Sequence, residues 1–403
     1  MREVEVLIVG GGPAGSALAL FLAHAAPNLT ERILVLEKER YPREKFCAGG
    51  VGARADKLLS SIGVTVDVPS VWIDAIGFRA MGRTTVVREP GIGRVVRRVE
   101  FDHELARIAR SRGVPLEDGT RVLGLRRNAR GFEVETSRGS LHARVVVGAD
   151  GVQSVVRKAL GFPAGAYRAQ AIEVDTDPVE SDLPRDVILF DASHRDLPGY
   201  YWDFPTLVEG REKVVRGVYL LRSSSAPAAV EIQSLLAREL EARGIDLGAL
   251  KKKRYAELAF DPHVPVSRPH ALLVGEAAGI DPVTGEGIAQ AIFYGACAAK
   301  YLVDKLGERA FAFEDFPGAI RRSAIGRDLW VRTLGVPLFY GAPRANVEAF
   351  LLDAPEFIRV GAQHFGGKPW SKRALARAFA RGAVHTARYF LGRSAEPAPA
   401  ATD

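Results

Sequence analysis

Cysteine is almost missing from this chain. Two residues, Cys47 and Cys297, stand far apart among 403. That excludes a disulfide framework and gives no zinc-ligand spacing, so a reducing compartment is the expected setting. Long apolar runs are missing too. No uncharged stretch approaches the roughly 20 residues that a membrane-spanning helix needs. Met1 leads straight into a short apolar run, without the basic region, longer apolar segment and cleavage site of a secretory leader. The expected location is therefore cytoplasmic, with room for peripheral contact at the inner face of a membrane. No internal repeat is present, and no metal site can be read.

What remains is ordinary for a globular protein: 47% hydrophobic and 26% charged residues. The length fits two interleaved domains and a tail. The net charge is +7, with much of the basic excess late in the chain, which suits either an anionic partner or a solvated face.

Residues 3–9 (EVEVLIV) are short, β-branched and apolar, as a buried parallel strand is. A glycine turn follows, then an alanine-rich helix to about His24 and a second strand at 32–36. Gly10, Gly12 and Gly15 take the GxGxxG spacing, with Pro13 and Ala14 between them. Gly10 allows a tight turn, Gly12 lets a pyrophosphate approach the backbone, and Gly15 lets the helix pack closely. The helix N-terminus offers free N–H groups to the phosphates. Glu37, at the end of the second strand, is placed to accept from a ribose diol. A helix opening at Asp102, an antiparallel sheet from the alternating stretch 166–220, a helix within 226–242, a strand at 271–274 and a helix from about 285 to 305 complete the reading.

Two later strings name the dinucleotide. RVVVGADGVQSVVR (144–157) resembles the DG motif of flavoprotein hydroxylases, through Asp150, Gly151, Ser154 and Arg157. LLVGEAAGIDPVTGEGI (272–288) resembles their GD motif, through Gly275, Pro282, Gly285 and Gly287. The resemblance implies FAD, with the acid of the second motif at the ribitol and the following helix aimed at the flavin O2. That acid is Glu276 here, where the family has Asp. VVRRVEFDHELARIA resembles the family segment whose arginine, here Arg98, lies near the flavin or its phosphates.

Two further strings narrow the branch. PGYYWDFP (198–205) resembles the YxWxFP signature of the geranylgeranyl reductase family, through Tyr200, Trp202, Phe204 and Pro205. On a strand the three aromatics share one face and make an apolar wall for substrate. REKFCAGG (43–50) resembles that family's flavin loop: Arg43 and Cys47 match, and Ala48 stands where glycine is common. The resemblance carries a cofactor-binding role onto Gly10, Gly12, Pro13, Ala14, Gly15, Glu37, Lys38, Arg43, Cys47, Ala48, Arg98, Val122, Asp150, Gly151, Gly275, Glu276, Pro282, Gly285, Gly287 and Ile288.

The implied fold is α/β: a Rossmann-like FAD-binding domain (1–70, 100–165, 268–330), an inserted antiparallel β-sheet substrate domain (71–99, 166–267), a helical C-terminal region (331–393) and a disordered tail (394–403). The implied activity is reduction of C=C bonds in an isoprenoid or other polyunsaturated lipophilic substrate. Cys47 and Glu286 are the candidates near the chemistry. No second dinucleotide fingerprint appears, so NADPH or a reduced carrier protein is the expected electron donor, and no nucleic acid is expected as a partner. Three alternatives share the motifs: an FAD monooxygenase acting on an aromatic or quinone substrate, a flavin-dependent halogenase, and a non-catalytic FAD-binding escort. The halogenase segment W-x-W-x-I-P is departed from at Tyr200 and Phe204. KPWSKRALARAFARGAVHTARYFLGR (368–393) reads as a basic amphipathic helix, with Arg373, Arg377, Arg381 and His385 in one stripe and Trp370 and Tyr389 suited to a bilayer interface.

Overall fold

The structure, a computed structural model, describes residues 2–163, 165–223 and 230–369, with isolated positions 373, 376, 377 and 380. Two eight-stranded sheets organise these residues. In the first, the buried apolar strand Arg2–Val9 lies between Ile33–Leu36 and Gly139–Gly148, parallel to both. Leu116–Glu117 and Ala271–Leu273 extend this parallel core on either side. A hairpin, Val122–Asn128 with Gly131–Thr136, leans on Gly139–Gly148.

The glycine-turn helix Pro13–Ala25 covers one face of that sheet and packs along the 21-residue helix Ile288–Glu308. The two come unusually close at Gly295, where a Cβ would sit 2.7 Å from the Leu18 nitrogen. Their apolar sides join the largest hydrophobic core of the molecule.

The second sheet runs Lys253–Leu258, Tyr167–Thr176, Arg211–Ser223, Gly199–Val208, Val187–Asp191, Ser70–Ala80, Arg83–Val96 and Gly50–Gly52. It is antiparallel as expected except at one seam, where Val187–Asp191 pairs parallel with Ser70–Ala80. That seam joins two stretches of chain separated by the whole DG region, so no hairpin sets their direction. Gly50–Gly52 sits at the sheet's edge and ties the loop before it to the boundary between the sheets.

The expected helix start at Asp102 is corrected. The helix is Arg98–Ser111, and Asp102 lies in its second turn with its side chain fully buried. It takes Arg98 in an i,i+4 ion pair instead of capping the first turn. The late helices Ala324–Tyr340, Arg344–Asp353 and Pro355–Phe365 form a cap, with Val336, Phe339, Tyr340, Ala362 and Phe365 against the second sheet. The basic segment 368–393 lies, apart from Lys368, Pro369 and four isolated positions, outside the described residues. No helix among the described residues is long and apolar enough to cross a membrane.

Candidate functional site

Gly10 has φ +105°, and a Cβ there would lie 2.4 Å from the Ala149 carbonyl oxygen. The first strand therefore ends against the start of the DG segment. Gly15 is equally closed: its Cβ would fall 1.9 Å from the Gly10 carbonyl oxygen. Gly12 is open: a Cβ there would meet nothing nearer than the Arg43 and Arg98 guanidinium nitrogens, at 3.7 and 3.8 Å. Gly12 is the N-cap of Pro13–Ala25, which has neither a capping side chain nor an acid in its first turn. Free N–H groups and two guanidinium groups thus face one small space, which is the chemistry of a pyrophosphate cradle.

Both arginines are held by Asp102. Arg98 makes a bidentate pair at 2.6 and 2.7 Å, and Arg43 approaches to 3.0 Å. Burial alone would favour a neutral Arg98, but Asp102, with smaller help from Cys47 and Glu276, outweighs burial and raises its pKa. The Arg43 Nε is buried with no partner among the described residues, a donor left for a ligand. Glu37 accepts from the Gly11 and Glu39 amides, both at 3.0 Å, which fixes the carboxylate and leaves lone pairs for a diol. Lys38 beside it is exposed, and Val122 packs in the main core.

The second half meets the first at Gly275. Its φ is +60°, and a Cβ there would lie 2.6 Å from the Ala14 Cβ. Asp150 caps Val155–Ala159 through Oδ2, while its Oδ1 is buried without a partner among the described residues; burial raises its pKa, partly offset by Ser154 and main-chain donors. Arg157 ties this segment to the Ala277 carbonyl at 3.1 Å. A Cβ on Gly151 would lie 3.3 Å from the Glu276 Oε2, so Asp150, Gly151 and Glu276 share one corner. Glu276 Oε1 is also buried with no partner among the described residues, and Lys45 stands 3.9 Å from Oε2. The longer side chain therefore still reaches the corner expected for the family's Asp.

Asp281 shapes the loop leading to the long helix, accepting from the Val283 and Thr284 amides at 2.8 and 3.1 Å. Gly285 turns it with φ +66°. Gly287 then caps Ile288–Glu308 with no side-chain bond and no acid in the first turn. This second bare N-terminus suits a partial negative charge such as that of a reduced flavin at N1 and O2. Unpartnered Arg43 Nε, Asp150 Oδ1 and Glu276 Oε1, together with the open approach at Gly12, fit an FAD extended between the two helix ends.

Beside this loop stands the aromatic wall. Tyr200, Trp202 and Phe204 share one face of their strand, and Tyr201 turns to the opposite core. Tyr200 stacks on Tyr219 at 5.1 Å and contacts Phe190 and Trp202 at 5.2 and 6.1 Å. Two hydroxyls pin the wall to the loop: Tyr200 donates to the Thr284 carbonyl at 2.5 Å and Tyr219 to the Pro282 carbonyl at 3.1 Å. Phe204 reaches the flavin-type loop, 3.4 Å from where a Gly50 Cβ would be. Ala48 packs on the same wall.

The Cys47 amide donates to Glu173 at 3.2 Å. Burial raises its thiol pKa, so the geometry offers a neutral thiol and no activated nucleophile. Glu286 is not free either. It receives Arg54 at 2.7 Å and Arg332 at 2.6 Å, within a hub that includes Asp328, Asp281 and His364. The hub fastens the cap helices to the loop, which makes Glu286 an anchor rather than an acid facing substrate. Tyr219, Tyr255, Glu173, Glu257 and Lys45 were not among the sequence candidates. Strand pairing brings in the first four, with Tyr219 opposite Tyr200 and Glu257 opposite Ala169, and Lys45 arrives on the loop before Gly50–Gly52.

A sequence profile of the FAD binding domain family matches residues 3–292. The chain is 26% identical over 324 residues to a menaquinone reductase of Mycolicibacterium smegmatis, covering 74% of this chain and 76% of that protein. It is 26% identical over 335 residues to digeranylgeranylglycerophospholipid reductase 2 of Methanosphaera stadtmanae, covering 75% and 80%. Among solved structures, a geranylgeranyl bacteriochlorophyll reductase-like protein of Thermoplasma acidophilum superposes with a TM-score of 0.75 at 21% identity, over 97% of this chain and 99% of that one. The last comparison bears on fold alone.

Proposed function

The chain belongs to the FAD binding domain family, and on that premise we propose that it is an FAD-dependent oxidoreductase that saturates C=C bonds of an isoprenoid or similar polyunsaturated lipid. One observation carries the reading. The wall of Tyr200, Trp202, Phe204 and Tyr219 is hydrogen-bonded to the loop that opens the long helix, so a flat apolar surface faces the place where a flavin ring would lie. The reductase names of the two relatives support it.

Bound FAD, once reduced, supplies hydride. The chain's own residues do the rest. Arg43, Arg98 and the Gly12 helix end hold the phosphates, and Glu37 holds the adenosine ribose. Asp150 and Glu276 hold the ribitol, and the bare N-terminus at Gly287 stabilises negative charge on the reduced ring. The aromatic wall orients the alkene, and the cap helices exclude water. Electrons come from NADPH or a carrier protein.

The lipid is delivered from an anionic bilayer. Ala324–Tyr340 covers the wall with Val336, Phe339 and Tyr340, while Trp330, Val331, Leu334 and Leu338 stay about half exposed or more on its other side. The exposed arginines Arg321, Arg322 and Arg327 flank that apolar patch, a pattern suited to an interface. The test of function is anaerobic: reduce the flavin, add a menaquinone or geranylgeranyl lipid, and follow flavin reoxidation with a two-hydrogen gain in product mass. Reoxidation that requires oxygen, with oxygen entering the product, would instead establish a hydroxylase.

A further inference from the structure

Saturating an alkene needs a proton as well as a hydride, and most acidic groups at the wall have theirs committed. Tyr200 and Tyr219 donate to loop carbonyls, Tyr255 donates to Glu173 at 3.1 Å, and Glu286 is held by two arginines. Glu257 differs. It projects from Lys253–Leu258 towards the loop, and a Cβ on Gly285 would lie 2.8 Å from its Oε2 and 3.1 Å from the Tyr219 ring. That oxygen is shut off from solvent and has no hydrogen-bond partner among the described residues. Only a glycine at 285 leaves it room, and it sits where the aromatic wall meets the approach to the long helix.

Resting on the reductase reading above, we infer that Glu257 is the acid that protonates the alkene carbon not attacked by hydride. Bound FAD in its two-electron-reduced form would supply the hydride for one carbon and the electrons for the reduction. The π bond is lost, the Glu257 O–H breaks, and a C–H bond forms at the second carbon. The carboxylate then regains a proton from water; Lys45, whose side chain is 35% exposed, marks the solvent side. Burial is the main influence that keeps Glu257 protonated, followed by Glu276. Asp281 and Glu173 add to it and Lys45 opposes it, leaving the pKa well above the ordinary carboxylate range. Tyr219 nearby is held as a neutral phenol, chiefly by burial and then by Glu257.

The test uses the full chain as wild type, Glu257→Gln and Glu257→Asp. Infrared difference spectra against pH should show a protonated-carboxyl band in the wild type at neutral pH that is missing from Glu257→Gln. Anaerobic single turnover with a geranylgeranyl lipid should slow by about 100-fold or more in Glu257→Gln. Glu257→Asp should recover part of the rate with a displaced pH profile, which a merely structural carboxylate would not give. A missing band, or a Glu257→Gln enzyme as fast as an active wild type, overturns the acid alone. A wild type inert towards every prenyl lipid overturns the reductase reading, and the role of Glu257 with it.

Discussion

Glu173 offers a direct test of how this site handles buried charge. It lies in the middle of Tyr167–Thr176, is fully buried, and accepts from the Cys47 amide and the Tyr255 hydroxyl. Burial is the largest influence on it and raises its pKa; Lys253 and Tyr255 pull the other way, and the outcome is a carboxyl pushed up to about 7. An acid whose pKa is raised on folding stabilises the fold fully below its unfolded value, near 4.5. That contribution is lost as the pH climbs through 7. The displacement corresponds to about 3 kcal/mol in all, of which about 2 kcal/mol falls between pH 5 and pH 8. Glu173→Gln removes the titration while its amide oxygen still accepts from Cys47. The variant should carry a constant penalty of about 1 kcal/mol for the disturbed Tyr255 contact. Relative to wild type it should then gain about 2 kcal/mol as the pH is raised from 5 to 8. Urea midpoints at matched flavin saturation would read this. Two curves that stay parallel across the range would refute the buried-acid argument.

Arg98→Met should weaken FAD binding by about tenfold or more, because a charge-assisted bond is worth about 1.5–3 kcal/mol; fluorescence titration of the apoprotein measures it. Gly275→Val should cost about 2 kcal/mol or more and lower FAD affinity as well, since its Cβ would meet Ala14 at 2.6 Å from a backbone at φ +60°; melting with and without flavin separates the two effects. Burial raises the Asp328 pKa, but His364, Arg332 and Arg54 more than reverse that and hold it far below the usual range. Its contribution to stability is present above about pH 4 and is lost as the pH falls below it, so Asp328→Asn should flatten the acid limb of a stability profile and cost about 3–5 kcal/mol at pH 7. Leu334→Asp should reduce co-flotation with anionic vesicles by about tenfold while leaving the melting temperature within a degree or two, because that side chain is 54% exposed.

What could be read from the sequence was what depends on neighbours along the chain. The glycine spacing works because Gly10 takes φ +105° in the turn, Gly15 packs on the Gly10 carbonyl and Gly12 leaves the helix end open, and Tyr200, Trp202 and Phe204 share a face by strand alternation alone. The helix start was misread at Asp102 for a related reason. An acid after VVRRVEF looks like a cap, but the chain has Arg98 four residues earlier to neutralise it, and the helix extends back to include that pair. Glu173, Tyr219 and Glu257 were out of reach because their places depend on register between strands far apart in sequence. The partners of Glu286, Arg54 and Arg332, were out of reach for the same reason, being separated from it by 232 and 46 positions. Nothing in GEGI announces either of them.

The two ends of the site obey one electrostatic rule. Three helices elsewhere, Val155–Ala159, Ile232–Glu241 and Ala324–Tyr340, are closed by side chains: Ser154, Glu231 and Ser323 each accept from an amide of the first turn. Pro13–Ala25 and Ile288–Glu308 begin at glycine and carry no first-turn acid. Relative to Ser or Asp, a glycine cap forgoes only a few tenths of a kcal/mol, but it leaves the first amides without a partner. In these two helices a capping carboxylate would fill the space and cancel the field that an anion needs. Their axes are held together at Gly295, so the two bare ends cannot drift apart independently. A ligand that satisfies both must carry negative charge at two separated points, one at the pyrophosphate and one on the ring. By the same argument, reduction of the ring should tighten its grip on the second helix end. An Ile288→Asp variant should therefore lower the midpoint potential of the bound flavin, and a potential equal to that of wild type would show that the helix end does not feel the charge.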